Sequence, residues 1–417
     1  MEDICLIIPP AKFLGDPKRN TPLGVLYVAS YLEKNGVSVK LADLRDNGDG
    51  RVPKSRYYGI TATTPEYDGA VRIAKRLKDS HDCVIVLGGP HATAVPDDID
   101  EAFDYVVTGE GESAALSILK GQERNRRVLH SLIDNLDEIP FPARKLLNRS
   151  SIVSSSLGQK GILSTTMIAS RGCAYDCAYC SSKSMWQRRV RYRSPENVTD
   201  EIKELIRVYH VYSYRFHDDT MTVSRKWITD FCDAIHRNNL KIQWRTNTRT
   251  NHSGFHMFQM MRKAGCYDIG FGIEDPREHI QRINNKQISG GKAYTEIENA
   301  RRAGIKSRVF LMIGLPGQGT DTADAMIEYI EEAQPDYVDL STFVPYPGTD
   351  IYNNPGKYGI RIKSASYDDY VFALGLHGNE ADADFLYQHD VMTNEELKEQ
   401  RRRILTYISE RKMVVNA

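Results

Sequence analysis

An excess of one charge sign is missing: 55 Lys and Arg face 55 Asp and Glu in 417 residues, so formal net charge is zero at pH 7. That balance argues against a broad basic footprint for DNA or RNA and leaves room only for a local basic groove. Long apolar runs are missing as well. No window approaches the roughly 18 apolar residues a membrane helix needs. The start, Met1 to Pro10, has no basic stretch ahead of an apolar one, so no signal peptide is expected. Cysteine is scarce, seven in all, and three of the seven fall within eight residues. Such clustering belongs to a metal site, not to a secreted disulfide framework. Internal repeats and low-complexity tracts are absent. What is present, 41% hydrophobic residues over this length, suffices for two or three packed domains. A soluble cytoplasmic enzyme is the expectation.

Residues 1–125 alternate strand and helix signals. Ile4 to Ile8 reads as a strand, and Pro22 to Asn35 as a helix closed by Gly36. Val37 to Ala42 and Tyr58 to Ala62 read as strands. Thr64-Pro65 then predicts a cap and first turn for a helix with Ala70, Ile73, Ala74 and Leu77 on its buried stripe. Cys83 to Leu87 is a continuous apolar run ending in Gly88-Gly89-Pro90, as suits a strand buried on both faces of a parallel sheet. Asp104 to Thr108 followed by Gly109-Glu110-Gly111 repeats the pattern. The expected fold class is α/β, beginning with a doubly wound, Rossmann-like domain. Residues 126–160, with Pro140-Phe141-Pro142 and a serine-rich stretch, read as a linker. Over 161–350, six strand signals alternate with amphipathic helices: Gly161 to Ala169, Tyr214 to His217, Ile242 to Thr246, Asp268 to Gly272, Ser307 to Ile313 and Tyr337 to Phe343. That series predicts a partial (β/α)6 barrel with functional groups at the carboxyl ends of its strands. Residues 351–417 form a smaller, mainly helical region ending in a charged helix from Asn394 to about Arg411, expected to close the barrel with Tyr367, Tyr370, His377, Tyr387 and His389.

The most informative stretch is Arg171-Gly172-Cys173-Ala174-Tyr175-Asp176-Cys177-Ala178-Tyr179-Cys180. Cysteines at i, i+4 and i+7 just after a strand can turn three thiolates toward one point, where they hold an iron–sulfur cluster or zinc. A structural zinc would need a fourth Cys or His nearby, and none is there. Three ligands to a four-iron cluster leave one iron open for reaction.

Cys173, Cys177, Tyr179 and Cys180 resemble the C-x-x-x-C-x-aromatic-C hallmark of the radical S-adenosylmethionine (SAM) superfamily. The resemblance implies a 4Fe–4S cluster whose open iron chelates the amino and carboxylate groups of SAM, cleaved by one electron to methionine and a 5′-deoxyadenosyl radical. Cys173, Cys177 and Cys180 would be the cluster ligands. Other strand ends agree with it. Asp218 and Asp219 would face the SAM ammonium, Asp219 being preferred. Arg245 would pair with the SAM carboxylate. Glu274 lies where the family approaches the ribose, Gly314 would let the adenine approach backbone, and Tyr179 completes the SAM-binding set.

The first domain has no G-x-G-x-x-G after its first strand, so a dinucleotide has no support. Its strand ends offer Pro10, Thr61, Thr63, Thr64, Gly88, Gly89, Pro90, His91 and Glu110, a ledge of small and hydroxyl residues for a large flat cofactor. Together with Pro22 to Tyr27, these segments resemble the cobalamin-binding domain preceding the barrel in one radical SAM class. The D-x-H-x-x-G motif that supplies a lower cobalt histidine is absent, so His91 is expected near the corrin edge and not on cobalt. The resemblance implies a C-methyltransferase that abstracts hydrogen from an unactivated carbon and transfers methyl from methylcobalamin. Its substrate would be a natural-product precursor, a tetrapyrrole or a protein side chain. A one-electron reductant such as ferredoxin or flavodoxin is the expected partner, with neither nucleic acid nor membrane. The alternative is a radical SAM dehydratase, cyclase or epimerase. A methylthiotransferase would need a second cysteine triplet, and a methyl-carrying cysteine would stand late in the chain, yet none follows Cys266. Cys232 and Cys266 read as core packing. The arginines at 188, 189, 191 and 193 read as a solvated face or as anchors for carboxylates.

Overall fold

A computed structural model describes the chain except residues 1–3, 12–13, 47–50, 130–131, 160, 251–252, 289, 364–365, 371–383 and 414–417. His377 lies outside the described residues.

The first domain contains β1 (Ile4–Ile8), α1 (Leu23–Lys34), β2 (Val39–Asp43), β3 (Tyr57–Thr61), α2 (Tyr67–Ser80), β4 (Val84–Gly88), α3 (Pro90–Ala94), β5 (Tyr105–Thr108), α4 (Glu112–Leu119) and β6 (Arg127–Leu129). The six strands are parallel, in the order β2-β1-β3-β4-β5-β6. The order reverses between β1 and β3, and at that switch point the carboxyl ends of a doubly wound sheet leave a crevice. Every residue of β1 is buried because helices cover both faces. Ile4, Leu6 and Ile8 pack with Leu26 and Leu32 of α1, and Cys5 and Ile7 pack with Ile73 and Ala74 of α2. Two expectations shift. Thr64-Pro65 opens a short 3₁₀ turn capped by Thr63 and Glu66, so α2 begins only at Tyr67. The sixth strand comes from Arg127–Leu129, inside the stretch read as linker.

The second domain contains β7 (Ser164–Met167), a two-residue ribbon of β8 (Ser170–Arg171) and β9 (Arg191–Tyr192) around α5 (Ser182–Trp186), then α6 (Pro195–Tyr209), β10 (Ser213–Phe216), α7 (Arg225–Arg237), β11 (Gln243–Thr248), α8 (Phe255–Lys263), β12 (Cys266–Glu274), α9 (Glu278–Ile283), α10 (Gly290–Arg302), β13 (Lys306–Ile313), α11 (Thr322–Ala333) and β14 (Tyr337–Thr342). Its six long strands are parallel, in the order β14-β13-β12-β11-β10-β7, an open part-barrel. Alternate strand residues such as Phe216, Trp244, Ile269, Phe271, Val309 and Leu340 bury against the outer helices. Period-two alternation therefore turns Arg215, Arg245, Asp268, Arg308 and Asp339 into the barrel interior. The helix starts are specified locally: Ser194 accepts from the Asn197 N–H ahead of α6, with Pro195 in the first turn. Cys232 and Cys266 are fully buried in this core, as expected.

The C-terminal region adds α12 (Asp350–Asn353), a small antiparallel pair of β15 (Ile360–Ile362) and β16 (Tyr387–His389), and α13 (Asn394–Glu410) with a Thr393/Glu396 capping box. It clasps both domains. The Tyr387 hydroxyl donates to the Gly314 carbonyl at 2.5 Å, while Tyr367 packs on Tyr67 and its hydroxyl donates to Asp98 at 3.0 Å. Among the described residues no helix is long and apolar enough to cross a membrane.

Candidate functional site

The cysteine loop leaves the carboxyl end of β7 and is fixed at both ends by distant parts of the chain. Asp218 accepts from the backbone N–H groups of Ala169 (3.1 Å) and Ser170 (2.5 Å) and from the Ser170 hydroxyl (2.5 Å). Gly172 follows with φ 103°, and a Cβ there would collide with the Arg189 carbonyl oxygen, so only glycine fits. Farther on, the Ala178 N–H donates to Asn284 (3.0 Å), its carbonyl accepts from Ile351 (3.2 Å), and the Asn285 side chain donates to the Asp176 carbonyl (2.7 Å).

Between these anchors Cys173, Cys177 and Cys180 are half-buried free thiols. Burial, helped by the neighbouring Cys177, Asp219 and Cys173 and opposed by the Ser182 backbone N–H, pushes the Cys180 thiol up to about 12. A bare thiolate is costly in such a place unless cationic iron compensates it. Among the described residues no three His, Cys, Asp or Glu side chains converge on a single metal ion. A cluster instead takes each thiolate on a different iron, so the donor set fits a 4Fe–4S group. Arg249, at the exit of β11, donates to the Cys177 sulfur at 3.4 Å and lies 3.6 Å from the centre of the Tyr175 ring.

Of the residues assigned to SAM, Asp219 is exposed at the barrel mouth, its carboxylate taking one hydrogen bond, from the Ser182 hydroxyl at 2.7 Å. The surrounding protein raises its pKa, as expected for a carboxylate awaiting a cationic partner. Asp218 is different: it is fully engaged in shaping the cysteine loop and offers nothing to a ligand. Tyr179 has a buried hydroxyl without a partner and, with Glu274, Lys286 and Leu315, lines a narrow cleft with no room for a water molecule. Glu274 takes a left-handed conformation (φ 65°) and pairs with Lys286 at 2.9 Å. Arg245 sits elsewhere than expected. It is the third residue of β11, deep in the interior beside Arg215, and the arginine at the strand exit is Arg249. Gly314 also differs: Tyr387 and Phe385 occupy the space its missing side chain leaves, and its N–H donates to Gln318 at 2.6 Å.

In the first domain a groove with about 1130 Å³ of empty space, open mouth included, runs under α1 and α4 across the sheet face, from Ile4 and Leu6 of β1 to the carboxyl ends of β3, β4 and β5. Thr61, Gly88, Gly89, Pro90 and Glu110 line it, as expected; Pro10, Thr63, Thr64 and His91 do not. His91 is fully buried, stacked on Tyr67 with ring centres 4.1 Å apart and edge-on to Tyr367 at 4.6 Å. It belongs to the clasp between domains, not to a corrin edge. Gly89 (φ 97°) lets the groove floor pass close to Thr61, whose Oγ1 would lie 2.8 Å from an added Cβ. The lining is mainly apolar with glycines at the strand ends, which fits a large cofactor such as cobalamin. Among the described residues no histidine lines it.

The groove and the cysteine loop meet at one residue. Arg171, Met185 and Trp186 of the second domain complete the groove wall. Arg171 pairs with Glu110 at 2.6 Å and Glu112 at 2.7 Å, and Arg191 pairs with Glu110 at 2.9 Å. The Arg188–Arg193 stretch is thus largely an anchor: Arg189 pairs with Asp134, and Arg193 with Glu201. Arg171, Glu112 and Trp186 were not assigned roles from the sequence, and Arg249 lay in the segment expected to supply an arginine to SAM although Arg245 was preferred. Arg171 had a local signal, adjacency to Gly172-Cys173; Glu112 and Trp186 owe their roles to tertiary placement.

The radical SAM superfamily model matches residues 167–330, and the B12 binding domain model matches residues 17–119. The chain is 29% identical over 381 residues to the uncharacterized methyltransferase PH0819 of Pyrococcus horikoshii, covering 84% of this chain and 82% of that one. It is 24% identical to the anaerobic magnesium-protoporphyrin IX monomethyl ester cyclase of Rubrivivax gelatinosus (85% and 69% covered) and 25% identical to the hopanoid C-3 methylase of Methylococcus capsulatus (86% and 73%). Among solved structures, the radical SAM methyltransferase TsrM from Kitasatospora setae, with cobalamin and a [4Fe-4S] cluster bound, superposes with TM-score 0.72 at 16% identity, covering 99% of this chain and 90% of that one. That likeness shows a shared fold.

Proposed function

We propose, from the premise that this chain belongs to the radical SAM superfamily and carries a B12 binding domain ahead of its barrel, that it is a cobalamin-dependent C-methyltransferase. One observation carries the reading furthest: Arg171, two residues before the first cluster cysteine, is also a wall of the groove over the first sheet. Hydrogen abstraction and methyl supply can therefore act on one substrate carbon.

When bound, the cluster with SAM supplies a hydrogen-abstracting radical, and cobalamin supplies the methyl group. The chain's own part is placement. Cys173, Cys177 and Cys180 hold the cluster. Asp219 receives the SAM ammonium and Arg249 its carboxylate, each by a charge-assisted hydrogen bond. Glu274 and Tyr179 line the ribose side. Thr61, Gly88, Gly89 and Pro90 would carry the corrin. Tyr387, on the Gly314 carbonyl, and Tyr367, on Tyr67, hold the C-terminal region against both domains. A ferredoxin or flavodoxin in a reducing cytoplasm suits the electron requirement.

The similarity to the cyclase of R. gelatinosus favours a second reading, hydrogen abstraction without methyl transfer. Anaerobic reconstitution with iron, sulfide and cobalamin, followed by gel filtration, decides between them. Stoichiometric cobalt, with both 5′-deoxyadenosine and S-adenosylhomocysteine formed from SAM, is the expected result. Deoxyadenosine alone would replace methyl transfer with the second reading.

A further inference from the structure

The floor of the barrel carries more positive charge than its carboxylates balance. Arg215 of β10 and Arg245 of β11 are direct register partners on adjacent strands. Both point into the interior, and among the described residues neither donates a hydrogen bond to any acceptor nor lies within ion-pair distance of a carboxylate; the Arg245 Nε is buried with no partner. The two interior carboxylates are already engaged. Asp268 and Asp339 each hold Arg308, both at 3.0 Å. Arg19 reaches the same floor from the first domain, with its Nη2 on the Ser156 carbonyl at 3.0 Å and its Nε buried without a partner. Four guanidiniums therefore face two carboxylates, with Asp16 near Arg19 from an exposed loop.

Arginine cannot escape such a site by losing its proton at neutral pH. Burial and the nearby Arg245, Arg19 and Arg308 lower the Arg215 pKa to about 9, which leaves it charged at pH 7. Asp268 is the register partner of Arg245 on β12 but is held by Arg308, so Arg215 and Arg245 stand side by side with no carboxylate of their own, and a ligand anion would relieve their repulsion. Planar forks on neighbouring strands present the donors an oxyanion takes in bidentate fashion. Above this layer His217 is exposed to the barrel mouth.

We propose that Arg215 and Arg245 form an oxyanion seat at the barrel floor, and that the substrate is an elongated molecule bearing a carboxylate or a phosphate-type group that docks there. The seat lies four residues below Asp219 and Arg249, or ~13 Å at the rise of a strand. An anchored anion would therefore hold the reacting carbon about that far away, at the level of the cysteine loop and the groove. This deepens the methyltransferase reading by naming the substrate's chemistry.

The test is a binding measurement on the reconstituted holoenzyme with SAM present, in which melting is followed against sodium phosphate or sodium acetate at ionic strength held constant with chloride. A saturable rise is expected with one of the two anions, and the more effective one tells a phosphate-type group from a carboxylate. In Arg215→Gln and Arg245→Gln the apparent affinity for that anion should fall at least tenfold, with iron, cobalt and SAM affinity unchanged. Both variants should melt no lower than wild type in chloride alone, because each removes a repelling charge. Variants that melt lower in chloride would make these arginines structural and overturn the seat. So would the absence of a saturable response, an unchanged response in the variants, or a tenfold loss of SAM affinity in Arg245→Gln, which would return that arginine to SAM. If the anion response holds and no S-adenosylhomocysteine forms, the seat stands and the methyl-transfer reading falls.

Discussion

Arg171 Nη1 and Glu110 Oε1 lie 2.6 Å apart, joining the residue that introduces the cluster cysteines to the turn after β5 of the first domain. Both side chains are buried, and Glu112 and Arg191 extend the contact into an alternating network across the seam. The pair is what sets the cysteine loop and the groove at a fixed separation.

Removing one member should be costly, because it leaves charge buried without a partner. Glu110→Ala is expected to lower stability by about 3–5 kcal/mol, read as a shift in the urea midpoint of the reconstituted protein. Less cobalt should be retained per chain, since the groove wall loses its anchor. A variant with the wild-type midpoint would show that Glu112 alone holds Arg171.

Iron binding isolates the role of the loop thiols. Cys180→Ala, and equally Cys173→Ala or Cys177→Ala, should abolish the brown absorbance of the cluster and its iron content by deleting one of three ligands. Cys232→Ala removes a fully buried core thiol far from that loop and should leave iron unchanged at a modest cost in stability. Iron retained in Cys180→Ala would take that residue out of the ligand set.

The adjacent aspartates should separate cleanly. Asp219→Asn is expected to weaken SAM binding by about 10- to 100-fold, the equivalent of a charge-assisted hydrogen bond of ~1.5–3 kcal/mol, with iron content preserved. Asp218→Ala should instead destabilise the fold and lower iron, because it frees the Ala169 and Ser170 amides that shape the loop. Equal loss of SAM affinity with full iron in both variants would contradict this division.

His91 gives a pH signature. Burial lowers its folded pKa from 6.5 to about 4. Above pH 6.5 the ring is neutral whether folded or unfolded, and it contributes nothing to pH dependence. As pH falls below 6.5 the unfolded chain takes up a proton that the folded chain refuses, so stability is lost progressively down to about pH 4. Between pH 7 and pH 5 wild type should lose ~2 kcal/mol more than His91→Phe, at 1.36 kcal/mol per pH unit. Denaturant titrations at the two pH values measure the difference; parallel losses would place the imidazole in contact with water.

The elements were legible where the signal is local. β1 and β4 are apolar runs because both faces of a parallel sheet are buried, and the cysteine motif is contained in eight residues. Depth along a strand was not legible in the same way. Arg245 and Arg249 share interior parity, and β11 was expected to end at Thr246 when it runs to Thr248, so the arginine at the mouth is the later one. His91 and Glu110 sit in segments that looked like ligand ledges. One is buried by Tyr367, 276 residues along the chain, and the other is claimed by Arg171 and Arg191, contacts that no short window of sequence reveals.

The anchors of the cysteine loop also fix an order of events in the life of the chain. Its shape depends on Glu110 from before it and on Asp218, Asn284 and Ile351 from after it. A ribosome emitting the chain from its first residue delivers the three thiols long before the partners that arrange them. Cluster loading therefore belongs after translation has passed Ile351, and a nascent chain carries three separate cysteines where the finished one carries a preorganised acceptor for iron.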